Sequence, residues 1–133
     1  MSTQWQRVET FNRKVLGILP REHGLQDLKE AELSYTQLIE EAKEFLDARH
    51  ALDYIGSIDA IIDSMVFSLG VLYKLGVTEK EFNQIFDTVM DSNMRKKVGV
   101  KQGREGFNAL DAVRDEGFIP PEESISIILG SER

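Results

Sequence analysis

Five carboxylates fall on two consecutive stretches of the 133-residue chain, at spacings that place them on shared helix faces. Glu40, Glu41 and Glu44 lie in one predicted helix, where side chains three and four residues apart are neighbours. Asp59 and Asp63 are four residues apart in the next predicted helix, which is otherwise among the least polar parts of the chain. If the two helices are antiparallel neighbours, the two groups of acids face one another.

A group of acids in an apolar setting needs a counter-charge, because burying an unpaired carboxylate costs free energy. The segment 50–73 contains no lysine or arginine to provide one. Mg²⁺ binds oxygen ligands in near-octahedral geometry and usually keeps water and substrate phosphate among them. Carboxylates that meet without basic partners therefore predict a site for a hard divalent cation.

The three glutamates also fit a second interpretation, as ordinary surface residues of an amphipathic helix. A di-iron bundle is set aside, because it requires Glu-x-x-His pairs on two helices. The histidines of the chain are His23 and His50, and neither follows a glutamate by three residues.

The pattern of apolar residues around these acids predicts an all-α fold, an antiparallel helical bundle of four to five helices with an irregular C-terminal tail. The predicted helices cover residues 3–16, 25–49, 54–75, 79–94, 108–115 and 122–129. The helix 54–75 is the most apolar and is predicted to be buried. The length fits one domain, residues 1–133, with the acid-bearing helices at about 27–49 and 54–75 and a C-terminal segment, 98–133, that wraps the bundle.

Composition and charge narrow the class of protein. Hydrophobic residues make up 41% and charged residues 29%, which is typical of a globular chain. The net charge of −7 argues against general binding to nucleic acid or to anionic membranes. We expect no segment long and apolar enough to cross a bilayer. The absence of cysteine fits a reducing cytoplasm.

One local strip runs against the acidic charge. Residues 95–104 carry five lysines and arginines and no acid. Arg95, Lys96 and Lys97 follow Asn93 at the end of a predicted helix, where they could neutralise a polyphosphate while the amide bonds phosphate or sugar oxygens. A solvated loop is the simpler interpretation. Acids that hold a metal on one side and bases with an amide on the other are typical of phosphoryl transfer.

Three segments together resemble a known family. The run Glu40-Glu41-Ala-Lys-Glu44 is similar to the EExxE signature of the all-α NTP pyrophosphatases, which include MazG-like proteins, dimeric dUTPases and phosphoribosyl-ATP pyrophosphohydrolases. Asp59-Ala-Ile-Ile-Asp63 and Ser92-Asn93-Met94-Arg95-Lys96 resemble its second and third signatures, and GREGF and FIPPEESISIIL resemble the tail of small, often phage-encoded members. The resemblance covers about residues 8–130. It departs at Ala60, where the usual second signature has glutamate and Asp59 stands one residue earlier.

The resemblance implies hydrolysis of a nucleoside triphosphate between the α- and β-phosphates, in a homodimer or homotetramer. It makes the helices at about 27–49 and 54–75 the catalytic ones and, for a phage-encoded member, implies the host cytoplasm. It assigns Glu41, Glu44 and Asp63 as ligands of Mg²⁺ or Mn²⁺, with Asp59 as the fourth ligand, and Glu40 or Glu41 as the group that orients or deprotonates water.

Substrate contacts are also implied by the resemblance. They fall on Asn93, Lys96, Arg95 and Lys97, and candidates for the base pocket are Asn12, Phe11, Trp5 and Tyr73. We favour a dNTP, with dGTP as the specific expectation, although the spacing itself does not distinguish bases. The alternative function is a non-catalytic nucleotide-binding or protein-interaction module, which the departure at Ala60 favours.

Overall fold

The computed structural model describes residues 1–99, 111–113 and 120–131, and these residues confirm the all-α class. They fall into two compact units, Met1–Glu79 and Lys80–Arg133. The elements in order are α1 (Gln4–Thr10), a π-helical turn (Phe11–Val15), α2 (Leu28–His50), α3 (Tyr54–Lys74), α4 (Glu79–Met94), β1 (Lys97–Gly99), β2 (Asp111–Val113) and α5 (Glu122–Ser131). The single-domain organisation and the wrapping of the bundle by residues 98–133 stay predictions.

The first predicted helix is confirmed, and it ends in a π-helical turn that the pattern did not predict. Thr3 and Gln6 form a reciprocal capping box, each side chain accepting the other's backbone N–H at 3.1 Å. After Thr10 the helix widens into the π-helical turn, in which Leu16 N–H donates to the Phe11 carbonyl at 3.2 Å. Inside this turn the Asn12 amide donates to the Val8 carbonyl at 2.9 Å.

Helices α2 and α3 form a hairpin and are the most extensively packed pair of helices in the first unit. Asp27 caps α2 by accepting Glu30 N–H, and Asp53 caps α3 by accepting Gly56 N–H, both at 2.9 Å. Three residues connect the helices, so they run antiparallel. Leu52 in this connection adopts the left-handed conformation, with φ 58°. The helices predicted at 25–49 and 54–75 are therefore confirmed.

The prediction that the third helix is buried is wrong for the single chain. Ala60, Gly70 and Tyr73 are its buried residues. Its large apolar side chains are mostly exposed: Ile55, Ile58, Ile61, Ile62, Met65 and Val66. The reason is that α2 and α1 are the helices of the first unit that pack on α3, and together they cover only part of its circumference.

By length and composition alone, α3 could also cross a membrane. Its most apolar 18-residue window has a mean hydropathy of 1.7, and 11% of that window is buried. The expectation that no segment is long and apolar enough is therefore wrong on this measure. The core helix of a globular protein passes the same test, so the absence of a membrane partner stays a prediction.

The loop between the π-helical turn and α2, predicted from Pro20 and Gly24, is fastened to the C-terminal end of α3. The Tyr73 hydroxyl donates to the Ile18 carbonyl at 2.7 Å, and Gly24 N–H donates to the Leu75 carbonyl at 3.2 Å. Burial raises the pKa of this tyrosine. The loop therefore fixes the end of α3 against the first residues of α2.

An ion pair completes this fastening. Arg21 binds Glu30 with both terminal guanidinium nitrogens, Nη2 lying 2.9 Å from Oε2, and its Nη1 also donates to the Lys74 carbonyl at 3.4 Å. The hydrogen bonds from Arg21 lower the pKa of Glu30 to about 2. Because this pKa is lowered by folding, the pair stabilises the fold above pH 4.5, and that contribution is lost as the pH falls toward 2.

The second unit contains most of α4, a two-stranded antiparallel ribbon and α5. The helices predicted at 79–94 and 122–129 are confirmed. In the ribbon Lys97 lies opposite Val113, and Gly99 opposite Asp111. The short helix predicted over 108–115 is wrong for residues 111–113, which form β2; its other residues lie outside the described part of the chain.

The loop that precedes α2 lies so close to the end of α3 that residue 76 must be a glycine. This residue has φ +83°, and a Cβ added there would overlap the Glu22 carbonyl group. We expect Gly76→Ala to lower the free energy of unfolding by roughly 2–4 kcal/mol, measured by denaturant titration of the full chain. Gly17 is the matched control, because it has φ +72° with open space around it. Gly17→Ala should cost about 1–2 kcal/mol, the left-handed penalty alone; equal losses at the two sites would contradict the overlap.

Candidate functional site

The α2–α3 hairpin brings the predicted acids of the two helices together. Helix α2 carries Glu40, Glu41 and Glu44, and α3 carries Asp59 and Asp63. Glu41 is buried, with 9% of its surface exposed, while Glu40, Glu44 and Asp59 are exposed and Asp63 is half-buried. The site is therefore an open one in the single chain, with one carboxylate below its surface.

The charge environment of Glu41 shows how near the other acids are. Burial is the largest cause that raises the pKa of Glu41, followed by repulsion from Glu44 and a hydrogen bond with it. Repulsion from Asp63 and Asp59 raises the pKa further. Acids from both helices therefore act on one carboxyl group, as the antiparallel arrangement requires.

One oxygen of this carboxyl group is left without a partner. Within the described residues, Glu41 Oε2 is buried and has no hydrogen bond. A buried acceptor without a partner costs folding free energy, more so if it is charged. The nearest lysine in sequence, Lys43, forms an exposed ion pair with Asp47 at 2.8 Å. Among the cations that the structure describes, none pairs with Glu41.

The carboxylates are near one another but are not arranged as a chelating set. In residues 1–99, 111–113 and 120–131, no group of three or more acids or histidines is placed to hold a metal ion. Glu44 already lies within hydrogen-bond reach of Glu41, so binding a cation would require the other acids to approach this pair more closely. The assignment of Glu41, Glu44, Asp59 and Asp63 as metal ligands stays a prediction, as does the role of Glu40.

The predicted phosphate contacts lie at the end of α4. Asn93 is half-buried in its last turn, and Arg95 is exposed just beyond it. A turn follows, in which Arg95 and Lys96 donate backbone N–H groups to the Ser92 and Asn93 carbonyls. The side chain of Lys97 lies outside the described residues. Contacts from these four residues to a substrate stay predictions.

The four candidates for a base pocket are in different surroundings. Trp5 and Tyr73 are buried, the latter with its hydroxyl bound to the loop. Asn12 is 4% exposed, and its amide lies against Gly70 of α3. Phe11 is 47% exposed and borders an open cleft.

This cleft, which we call the α1–α3 cleft, adds residues that the sequence pattern did not single out. It is lined by Gln4, Arg7, Val8, Phe11, Ile62, Met65, Val66 and Leu69. The three residues from α1 and Phe11, the first residue of the π-helical turn, stand at i, i+3, i+4 and i+7, the spacing of one helix face. That spacing could have marked Arg7 and Gln4 as neighbours of Phe11, since they share its face of the helix.

The raised pKa of Glu41 makes a prediction about stability. Folding disfavours the ionised form of this group, so its charge destabilises the native state at pH 7 and has no such effect below about pH 4.5. We expect Glu41→Gln to raise the midpoint of thermal unfolding at pH 7 in metal-free buffer, with the gain disappearing as the pH falls. Glu40→Gln, at the neighbouring exposed position, should change the midpoint little. A lower midpoint for Glu41→Gln at pH 7 would contradict the repulsion.

Comparison with known proteins bears on the same segment. A family model described as phosphoribosyl-ATP pyrophosphohydrolase matches residues 18–93, which is more than half of the chain and includes all five acids and Asn93. No curated protein matches the sequence. The matched family hydrolyses an acid anhydride of a nucleotide, and its match confirms the resemblance to the all-α NTP pyrophosphatases. The chain therefore belongs to the phosphoribosyl-ATP pyrophosphohydrolase family.

Proposed function

We propose that the protein is a metal-dependent pyrophosphohydrolase that cleaves a deoxynucleoside triphosphate, dGTP in particular, into the monophosphate and pyrophosphate. The family supports the pyrophosphohydrolase class. The observation that carries the metal dependence is Glu41: a buried, unpartnered carboxylate oxygen under repulsion from three other acids. Such a set fits a hard divalent cation, which would relieve the repulsion and supply the missing partner.

Within this proposal, Glu41, Glu44, Asp59 and Asp63 would hold Mg²⁺ or Mn²⁺. When bound, the metal polarises the α-phosphate and lowers the pKa of water. Asp59 stands in for the glutamate absent at Ala60, from a position one residue earlier on α3.

In the proposed hydrolytic step, Glu40 and Glu41 act on the attacking water. Water attacks the α-phosphorus, a carboxylate takes its proton, and the bond to the oxygen that bridges to the β-phosphorus breaks, so that pyrophosphate leaves. Burial and repulsion raise the pKa of Glu41, so this carboxylate takes up a proton more readily than an exposed glutamate. Glu40 is exposed on the same turn of α2, where it would orient the water.

The strip after α4 is basic and is the proposed phosphate-binding segment. Asn93, Arg95, Lys96 and Lys97 would bind the phosphates, since amide and cationic donors match phosphate oxygens. Asn12 is kept as a proposed substrate contact, although its amide already donates to the Val8 carbonyl.

Turnover is tested with the four dNTPs, the four NTPs and phosphoribosyl-ATP, each with Mg²⁺ or Mn²⁺, by following monophosphate and pyrophosphate. We expect hydrolysis that requires metal, and a loss of at least about a hundredfold in kcat for Glu41→Gln and Asp63→Asn, with the fold retained. Asp47→Asn is the matched control, because Asp47 lies on α2 in an exposed pair with Lys43. No turnover of any nucleotide with either metal would overturn the proposal.

A non-catalytic nucleotide-binding module is the second candidate. Ala60 in the second signature and the absence, in the described residues, of a ready chelating set favour it. Calorimetry separates the two candidates. The enzyme should bind Mg²⁺ or Mn²⁺ in the presence of nucleotide, whereas the non-catalytic module should bind nucleotide and neither metal.

We also propose that the protein assembles as a homodimer or homotetramer. The side chains of Trp5, Val8, Ala60 and Tyr73 are the buried apolar ones among the described residues, a small core in a unit that leaves Ile55, Ile58 and Ile61 of α3 exposed outside the α1–α3 cleft. Light scattering should give a mass of two or four chains. Ile61→Lys, in the exposed part of α3, should lower the measured mass toward that of one chain. A wild-type protein with the mass of one chain would contradict the assembly.

A further inference from the structure

The α1–α3 cleft has the size and walls of a small-molecule site. It encloses about 440 Å³ within the first unit, and sites for small organic ligands span roughly 300–1,000 Å³. Helix α3 lines it with Ile62, Met65 and Val66, while Phe11 and Arg7 line it from α1 and the π-helical turn. An apolar slot with one cationic group suits a flat ring that carries polar atoms on its edge.

Two residues that line the cleft are near Asp63 along α3, and Asp63 belongs to the acid cluster, by which we mean Glu40, Glu41, Glu44, Asp59 and Asp63. Ile62 directly precedes Asp63 on α3, and Val66 follows it by three residues. Because an α-helix rises about 1.5 Å per residue, both lie within about one turn of that carboxylate. A nucleotide whose phosphates reach Asp63 could therefore place its base among these side chains.

Phe11 begins the π-helical turn and is half-exposed on the cleft. The next residue, Asn12, is buried, and its amide donates to the Val8 carbonyl. Turns of this kind occur frequently at functional sites. An exposed aromatic ring at the edge of an apolar slot is a stacking surface for a nucleobase.

Arg7 supplies the polar recognition. Its side chain is exposed and, within the described residues, makes no hydrogen bond or ion pair. A guanidinium has donors and no acceptor. Guanine offers it two acceptors, O6 and N7, whereas adenine replaces one of them with an amino donor.

We propose that the α1–α3 cleft binds the base of the substrate and that Arg7 selects guanine over adenine. This rests on the proposed function, since the phosphates of the same nucleotide would lie at the acid cluster. The occupant is a purine base, because Phe11 offers a face for stacking and Arg7 offers hydrogen-bond donors. An apolar helix from a second copy of the chain is the other possible occupant, but it would leave the donors of Arg7 unpaired.

The decisive variant is Arg7→Gln, because a glutamine amide pairs with N6 and N7 of adenine. In steady-state kinetics, the wild type should prefer dGTP to dATP in kcat/KM. Arg7→Gln should lower that ratio by about ten- to a hundredfold, with the change mainly in KM. Arg13→Gln is the matched control: an exposed arginine on the π-helical turn that does not line the cleft, which should leave the ratio unchanged.

Binding measurements separate this proposal from the proposed function. Calorimetric titration of dGTP and dATP into Glu41→Gln, with and without Arg7→Gln, reports the preference without turnover. If no nucleotide is hydrolysed but dGTP binds with a preference that depends on Arg7, the function fails and the cleft assignment stands. If dNTPs are hydrolysed and Arg7→Gln leaves the dGTP-to-dATP ratio unchanged, the cleft assignment fails and the function stands. A changed oligomer mass for Arg7→Gln with an unchanged ratio identifies the cleft as a subunit contact and overturns the proposal.

Discussion

The repulsion among carboxylates on the α2–α3 hairpin is the constraint around which the first unit is organised. Glu41 lies below the surface with one oxygen unpartnered, and Glu44, Asp59 and Asp63 raise its pKa. A folded chain retains such an arrangement only where other contacts outweigh its cost. The acids occupy one helix pair, so the geometry of that pair decides whether they meet at all.

Those other contacts lie mainly at the ends of the two helices. Capping aspartates begin both α2 and α3, and the connection between them is three residues long. At the opposite end, Tyr73 and Arg21 fasten the preceding loop to the hairpin, and Gly76 allows the backbone to approach Glu22. The middle of the hairpin carries the acids, and the ends carry the stabilising hydrogen bonds.

The sequence predicted most of the helices because their signals are local. Periodic apolar residues gave α2, α3 and α4, and acids three or four residues apart on a helix must share a face. The exposure of α3 could not be predicted, because an apolar helix has the same pattern whether its own chain or a partner covers it. The π-helical turn and β2 were missed for another reason, since each depends on a few hydrogen bonds that leave no periodic pattern. The α1–α3 cleft was missed as well, because Arg7 joins Phe11 and Met65 only through packing between distant segments.

Side chains near the first and last residues of the first unit also bind one another. The Thr3 hydroxyl donates to Glu79 Oε2, and the Gln6 amide donates to Oε1 of the same carboxylate at 3.3 Å. The two ends of a 79-residue segment are thus joined by side chains. Neighbouring termini are what allow a domain to be inserted into another chain or to receive a new extension. The chain therefore enters and leaves the acid-bearing unit at neighbouring points, and a change in the sequence after Glu79 can leave the packing of α2 against α3 intact.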